Sequence, residues 1–138
     1  MQILTEILEL ETSKRVQIID ITRNIDAALA ESGLRKGLVN IYSKHSTSAI
    51  FINENESGLL EDYQNLIKSL IPTGNNYKHD RIDNNADSHL RSFIIGNNET
   101  IPFDGSGDLA ECFLPGYGWT PESENNYNHH GRIKLNKN

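Results

Sequence analysis

The sequence predicts an α+β fold, in which a largely antiparallel sheet carries helices packed on one face. Two observations lead to this class. Strand-like and helix-like hydrophobic patterns alternate along the chain, and their order is β-β-α-β-β-α-loop-α-β. A length of 138 residues suits one core. We therefore expect a single domain over residues 1–138, of which the last part, residues 110–138, is atypical in composition.

Four strands and one helix are expected in the first half of the chain. The strands are rich in Ile, Leu and Val and cover residues 3–11, 15–21, 37–42 and 48–52. The residues TSKR between the first two strands favour a turn, so these strands are expected to form a β-hairpin. The helix begins at Asp20 or Thr22 as N-cap and ends at Gly33, because its apolar residues recur on one helical face.

Two further helices, a loop and a strand follow. Ser57 is expected to cap a helix whose apolar residues repeat at helical spacing up to Pro72. The polar stretch after it indicates a loop, and Asn85 or Asp87 is expected to open a third helix that ends at Gly96. The apolar residues of this third helix are Leu90, Phe93 and Ile94. A short strand is expected at "ETIPF", residues 99–103.

Charge and composition exclude several functional classes. Thirteen basic and nineteen acidic residues give a net charge of −6 without a clustered basic face, so nucleic acid is not expected as a partner. The N-terminal stretch has neither the basic start of a secretion signal nor a long apolar run, so we expect no membrane association and a cytoplasmic location. Cys112 is the only cysteine and cannot form an internal disulfide, so any metal ligands are expected to be His and carboxylates.

Two polar clusters carry candidate chemistry. The first is "HSTS" at residues 45–48 with "NENE" at residues 53–56, and the second is "YKHDRIDNNADSHLR" at residues 77–91. Imidazoles and carboxylates from separate elements suit a divalent metal, and hydroxyls, amides and a helix start suit a phosphate. Glu54 can act as a general acid or base. The alternative is that "NENE" is a polar turn leading into a helix, Asn85 or Asp87 an N-cap, and each histidine a solvated loop residue.

With both clusters in hand, the sequence resembles the YjbQ family, whose members are described as secondary thiamine-phosphate synthases. The resemblance lies in "GLVNIYSKHSTSAIFINENE", in "YKHDRIDNNADSHLRSFIIG" and in the "IPFDGSGDL" approach to the last strands, and it covers residues 1–109. It implies a compact α+β fold, usually a homotrimer, with a polar pocket near subunit contacts. It also implies a weak transferase activity that joins a pyrimidine carbinol diphosphate to a thiazole phosphate and releases pyrophosphate.

The resemblance also implies roles for individual residues. His45, His79 and His89 match the family's histidines and are the expected contacts to a divalent metal, Mg²⁺ or Zn²⁺, or to phosphate. His45, Glu54 and His89 are the expected catalytic residues. The expected substrate and anion contacts are Ser46, Thr47, Asn53, Asn55, Asn85 and Asp87. Two other functions use the same residues: a non-enzymatic protein that binds a phosphorylated metabolite or a metal, and a metal-dependent hydrolase.

The C-terminal tail departs from the family. The family continues after the position of Leu109 with Gly-Thr-Trp and two strands around an Asp-Gly-Pro-Arg turn, whereas this tail has no strand periodicity and little to bury. Codons read one base later can encode the missing end, since Trp119-Thr120 must then give Gly and "NNYNHH" only Ile or Thr. We interpret residues from about 107 onward as frameshifted; the rival interpretation is a divergent tail. No role is assigned to Cys112, Trp119, His129 and His130.

Overall fold

A computed structural model describes residues 3–104, 112–117 and 129–137, with side chains described for residues 3–104. These residues contain seven strands, three α-helices and the short 3-10 helix Lys78–Arg81. The strands are β1 (Leu4–Thr12), β2 (Val16–Asp20), β3 (Gly37–Ser43), β4 (Phe51–Ile52), β5 (Asn98–Phe103), β6 (Cys112–Tyr117) and β7 (His129–Lys137). The helices are α1 (Thr22–Ser32), α2 (Ser57–Leu70) and α3 (Ala86–Ile95).

The strands form two sheets, and every described pairing is antiparallel. One sheet has the order β1-β7-β3-β5 and the other the order β2-β6-β4. The predicted α+β class is therefore confirmed, as is the order of the elements up to β5. The predicted hairpin of the first two strands is wrong, because β1 pairs with β7 and β2 with β6. The TSKR turn carries the chain from one sheet to the other.

The tail supplies a strand to each sheet, although its sequence is interpreted as having no strand periodicity. β7 lies between β1 and β3, with Leu8 opposite Ile133 and Ile41 opposite Leu135. β6 lies between β2 and β4. Each tail strand thus provides the backbone hydrogen bonds that make its sheet continuous. Trp119 lies outside the described residues.

The core lies where α1 packs against the strands. Ile21, Ile25, Val39, Ile41 and Ile50 are fully buried, and partly buried leucines of β1 pack against them. On α1 the buried residues are Ile25, Ala28 and Leu29, which confirms the predicted helical face. Burying an Ile side chain contributes about 1.5–3 kcal/mol, so this cluster is the main source of apolar stabilisation among the described residues. No helix in this part of the chain is long and apolar enough to cross a membrane.

The ends of the helices agree in part with the caps predicted from the sequence. Gly33 ends α1 in the left-handed conformation, with φ 68°, as a C-terminal glycine does. At the start of α1, the predicted caps Asp20 and Thr22 are each wrong by one residue, because Ile21 occupies the N-cap position. Asp20 Oδ1 accepts a hydrogen bond from Thr22 N at 2.9 Å, at the first helical residue. The predicted cap of α2 is wrong by one residue. Glu56 precedes the helix and its carboxylate accepts from Gly58 N at 2.8 Å and Leu59 N at 2.7 Å, whereas Ser57 is already helical.

Helix α3 has an inverted distribution of polar and apolar residues. Its buried residues are mostly polar: Ala86, Asp87, Ser88, Arg91 and Ser92. The three apolar residues that define its pattern in the sequence are exposed: Phe93 by 86%, Ile94 by 56% and Leu90 by 40%. An outward apolar stripe at positions i, i+3 and i+4 is typical of a helix that contacts another molecule.

The capping carboxylate of Glu56 makes the stability of α2 depend on pH. The backbone N–H groups of Gly58 and Leu59 hold the pKa of Glu56 below its ordinary value. Since the folded pKa is depressed, the stabilisation is complete above the unfolded pKa of about 4.3 and is lost as the pH falls through the folded value. Replacing Glu56 with Gln should reduce the free energy of unfolding at pH 7 and flatten its decline below about pH 4.5, as measured by urea unfolding across pH.

Ser57→Ala is the matched control for this cap. Ser57 only donates a hydrogen bond to Glu56 Oε1, at 3.2 Å, so its loss should cost less at pH 7 and leave the acid dependence in place. A larger loss for Ser57→Ala than for Glu56→Gln would make Ser57 the functional cap.

Candidate functional site

The first polar cluster is a tight turn after β3. Ser48 donates to the carbonyl of His45 through its backbone N at 3.4 Å and its Oγ at 3.2 Å. Ser48 Oγ also hydrogen bonds to Ser43 Oγ, and both serines are buried. Ser48 therefore holds the turn, while His45 and Ser46 are exposed and Thr47 is half-buried.

Helix α3 packs directly against this turn. Ser92 Oγ donates to the carbonyl of Ser48 at 2.6 Å, and this hydrogen bond is buried. Two backbone bonds extend the contact, from Ile50 N to Gly96 O at 3.0 Å and from Ser43 N to Asn97 O at 2.8 Å. The element that carries the second cluster thus joins the segment that carries the first, as a shared site requires.

His79 and His89 meet in the second cluster. His79 lies on the 3-10 helix and His89 on α3, and their ring centroids are 4.9 Å apart at an interplanar angle of 88°, an edge-to-face contact. Nε2 of His79 is shielded from solvent and has no hydrogen-bond partner among the described residues. Oδ2 of Asp83 lies 3.9 Å from this nitrogen. A shielded imidazole nitrogen without a partner is unusual and suits a ligand contact.

The start of α3 is occupied by the chain itself. Asp80 Oδ1 accepts from Ala86 N at 2.9 Å, and Asn85 is buried. Similar contacts from Asp20 and Glu56 fill the starts of α1 and α2. A phosphate that used these helix N-termini would have to displace a carboxylate of the protein.

Asp87 is the centre of a buried ion network. Its side chain is 2% exposed, and Oδ1 accepts from Arg15 Nη2 at 2.9 Å. Oδ2 accepts from Thr73 Oγ1 at 2.7 Å and lies 3.1 Å from Arg91 Nη1. Arg91 also donates to the carbonyl of Ile71. Both oxygens of the predicted anion contact Asp87 are therefore engaged by side chains of its own chain.

The NENE segment consists mainly of turn and capping contacts. Asn53 Oδ1 accepts from Glu54 N at 2.9 Å, and Asn55 Nδ2 donates to Asp20 Oδ2 at 3.0 Å. Glu56 caps α2. Glu54 is exposed and stands on the surface between these contacts. The structural interpretation of this segment thus accounts for Asn55 and Glu56, and leaves Glu54 as its candidate reactive group.

The predicted histidine set is only partly assembled. His79 and His89 are in contact, whereas no group of three or more His, Cys, Asp or Glu residues within the described ranges is arranged to hold a metal ion. Zn²⁺ in proteins takes three or four such ligands. The described part of one chain therefore offers a histidine pair rather than a complete metal site.

Arg15 and Thr73 belong to the site's framework but were not singled out from the sequence. Arg15 lies in the turn after β1 and Thr73 in the loop after α2, and both reach Asp87. Their sequence separations from Asp87 are 72 and 14 residues, and neither position shows a local pattern. Only the packing of the turn after β1 against α3 brings Arg15 to Asp87.

Comparison with known proteins finds relatives of this chain in one family. The curated UPF0047 protein of Methanothermobacter thermautotrophicus is 50% identical over 111 residues, which are 80% of this chain and 78% of the relative. The UPF0047 protein of Archaeoglobus fulgidus is 48% identical over 103 residues, 75% of this chain and 79% of the relative.

Two solved structures have a similar fold. A YbjQ-like protein of unknown function from Sulfolobus solfataricus superposes with a TM-score of 0.86 at 26% identity, covering 99% of this chain and 96% of that chain. A hypothetical protein from Aeropyrum pernix has the same TM-score at 27% identity, covering 98% of each chain. The family model described as UPF0047 protein YjbQ-like matches residues 6–110. The chain, with its histidine pair and buried Asp87, therefore belongs to the UPF0047 (YjbQ-like) family.

Proposed function

We propose that this protein is a small-molecule transferase resembling secondary thiamine-phosphate synthase. The reaction breaks the bond between the carbinol carbon of a pyrimidine diphosphate and its leaving oxygen. The ring nitrogen of a thiazole phosphate forms a bond to that carbon, and pyrophosphate leaves. The observation that carries the proposal is the His79–His89 contact, because two imidazoles together could neutralise charge on a diphosphate. The helix that carries His89 also binds the turn that contains His45, through Ser92 and the carbonyl of Ser48.

Phosphate contacts are assigned by exposure. Ser46 and Thr47 follow His45 on the turn. His45 and Ser46 are exposed and Thr47 is half-buried, so this turn presents an imidazole and hydroxyl residues at the surface, where an anion can approach. Asn55, Asn85 and Asp87 are engaged within the chain, because Asn55 donates to Asp20, Asn85 is buried and Asp87 is paired with Arg15. Asn53 remains an exposed candidate contact. Glu54, also exposed, is the proposed general acid or base.

A divalent cation, Mg²⁺ or Zn²⁺, fits the histidine pair in one respect. The shielded Nε2 of His79 is an imidazole nitrogen that lacks a hydrogen-bond partner among the described residues, as a ligating nitrogen would in the absence of a metal. His79 and His89 would hold the ion. His45, the third ligand that the family resemblance implies, is not grouped with them within the described residues of one chain. When bound, the cation would supply neutralisation of the charge that develops on the departing diphosphate.

The transferase proposal predicts that the purified protein, given both substrates and Mg²⁺, releases pyrophosphate and forms thiamine phosphate. His45→Ala and His89→Ala should lower the rate by about 10²-fold or more, the scale of a lost acid–base or charge-stabilising group. Both products can be measured by coupled enzymatic assay and chromatography. Lys44→Ala, an exposed neighbour of His45, serves as the control and should retain the wild-type rate.

The same assay separates the other functions. Pyrophosphate release that does not need the thiazole phosphate indicates a metal-dependent hydrolase. Saturable binding of either substrate without turnover indicates a non-enzymatic binding protein. Equal rates for wild type and both histidine variants would refute the catalytic assignment, and metal analysis without a stoichiometric ion would remove the ligand assignment.

We also propose that the protein is a homotrimer, located in the cytoplasm. The outward stripe of α3 supports self-association, since Phe93, Ile94 and Leu90 together expose a large apolar surface. Light scattering after gel filtration should give a trimeric mass for the wild type. Phe93→Asp should reduce that mass to the monomer's, because a charge would be buried in the interface.

Leu38→Asp tests whether any apolar-to-charged change has this effect. Leu38 is 48% exposed on β3, opposite Pro102 of β5, and its variant should remain trimeric. A monomeric wild type, or dissociation by Leu38→Asp but not by Phe93→Asp, would contradict the assignment of the α3 stripe as the interface.

The origin of the tail is a separate proposal. We propose that residues from about 107 onward are read in a shifted frame, which is supported by the end of the family match at residue 110. Sequencing the gene should reveal a slipped base near that codon. An intact frame there would establish a divergent tail whose strands β6 and β7 are this protein's own.

A further inference from the structure

The loop between α2 and α3, residues 71–85, places His79 opposite His89. Three of its residues have left-handed backbone conformations: Gly74 with φ 71°, Asn76 with φ 56° and Asn84 with φ 50°. Such conformations persist in non-glycine residues when their surroundings hold them in place. The contacts that hold this loop therefore determine where His79 lies.

Both ends of the loop are tied to the Asp87 network. At its start, Thr73 Oγ1 donates to Asp87 Oδ2 at 2.7 Å, and Arg91 donates to the carbonyl of Ile71 through Nε at 3.0 Å. At its end, Arg15 Nη2 donates to the carbonyl of Asn84 at 3.1 Å and to Asp87 Oδ1 at 2.9 Å. Among the contacts just described, those of Arg15 come from outside the loop and α3.

We propose that Arg15 is a positioning residue that sets the geometry of the His79–His89 pair. Its guanidinium binds the carbonyl of left-handed Asn84, two residues before the first helical residue Ala86, and the carboxylate of Asp87, one residue after it. Ala86 N in turn donates to Asp80, the neighbour of His79. This chain of contacts ties the turn after β1 to α3 and to the 3-10 helix, and so fixes one imidazole relative to the other.

Arg15 acts through other residues and not on a ligand. Its side chain is 28% exposed, and the two contacts above engage one guanidinium nitrogen with two acceptors of the loop–helix junction. A lysine in its place would present a single compact ammonium group in place of a planar fork. The inference rests on the proposed function in one point: that the histidine pair holds a cation or a phosphate.

The geometry can be tested without activity, by NMR of the histidine side chains. An edge-to-face contact shifts the ring protons of one imidazole through the ring current of the other. In Arg15→Met this shift should disappear, while Asp87 keeps Thr73 and Arg91 and the chain stays folded. Arg15→Lys should retain part of the shift. Arg23→Met, an exposed arginine on α1, is the matched control and should retain all of it.

Zinc binding is the second readout. If the pair holds a cation, Arg15→Met should raise the Kd for Zn²⁺ by about tenfold, as changes behind a metal ligand do. Loss of stability in Arg15→Met with unchanged histidine resonances would overturn the inference, since Arg15 would then be merely structural. A wild type that binds no Zn²⁺ would count against the proposed cation, while the NMR comparison would still decide the role of Arg15.

Discussion

The buried carboxylate of Asp87 is the constraint on which the site's architecture depends. An ionised carboxylate at 2% exposure is costly unless charged partners and hydrogen bonds compensate its lost hydration. Those partners come from three places: the turn after β1, the loop after α2, and α3 itself. Because these partners converge on one carboxylate, the three segments are brought into one arrangement. Asp87 holds the segments that carry the two histidines. The positions of the candidate reactive groups therefore depend on the buried polar contacts.

Local patterns in the sequence predict the elements well and their partners poorly. The helical repeat through α1 and the apolar runs of β3 and β5 identify those elements, since period and composition act over a few residues. The partner of β1 does not follow from such patterns. A turn of four residues after it suggests a hairpin, yet the strand pairs with β7 more than a hundred residues later. Likewise the histidines can be found from residue type, but Arg15 cannot, because its role exists only after folding.

The tail strands show how far a sheet constrains sequence. A strand between two others obtains its hydrogen bonds from the backbone on both sides, whatever its side chains are. β7 has this position between β1 and β3, and polar and apolar residues alternate only over its residues 132–136. A segment with so short a strand pattern can thus still occupy a strand position when two edges are available to it. The same reasoning explains why the tail's composition alone was a poor guide to its backbone.

The inverted helix α3 reverses the usual relation between burial and mutational tolerance. In most surface helices the apolar positions maintain the monomer's fold and the polar positions vary freely. In α3 the polar positions Asp87, Arg91 and Ser92 are the ones inside, and Phe93, the most exposed large apolar side chain described, has little to contribute to the isolated chain. Selection acting on Phe93 would therefore record the demands of whatever contacts it, and selection on Arg91 the demands of folding. Variation at the exposed apolar positions of this helix would thus report on its contacts with other molecules. Variation at its buried polar positions would report on folding.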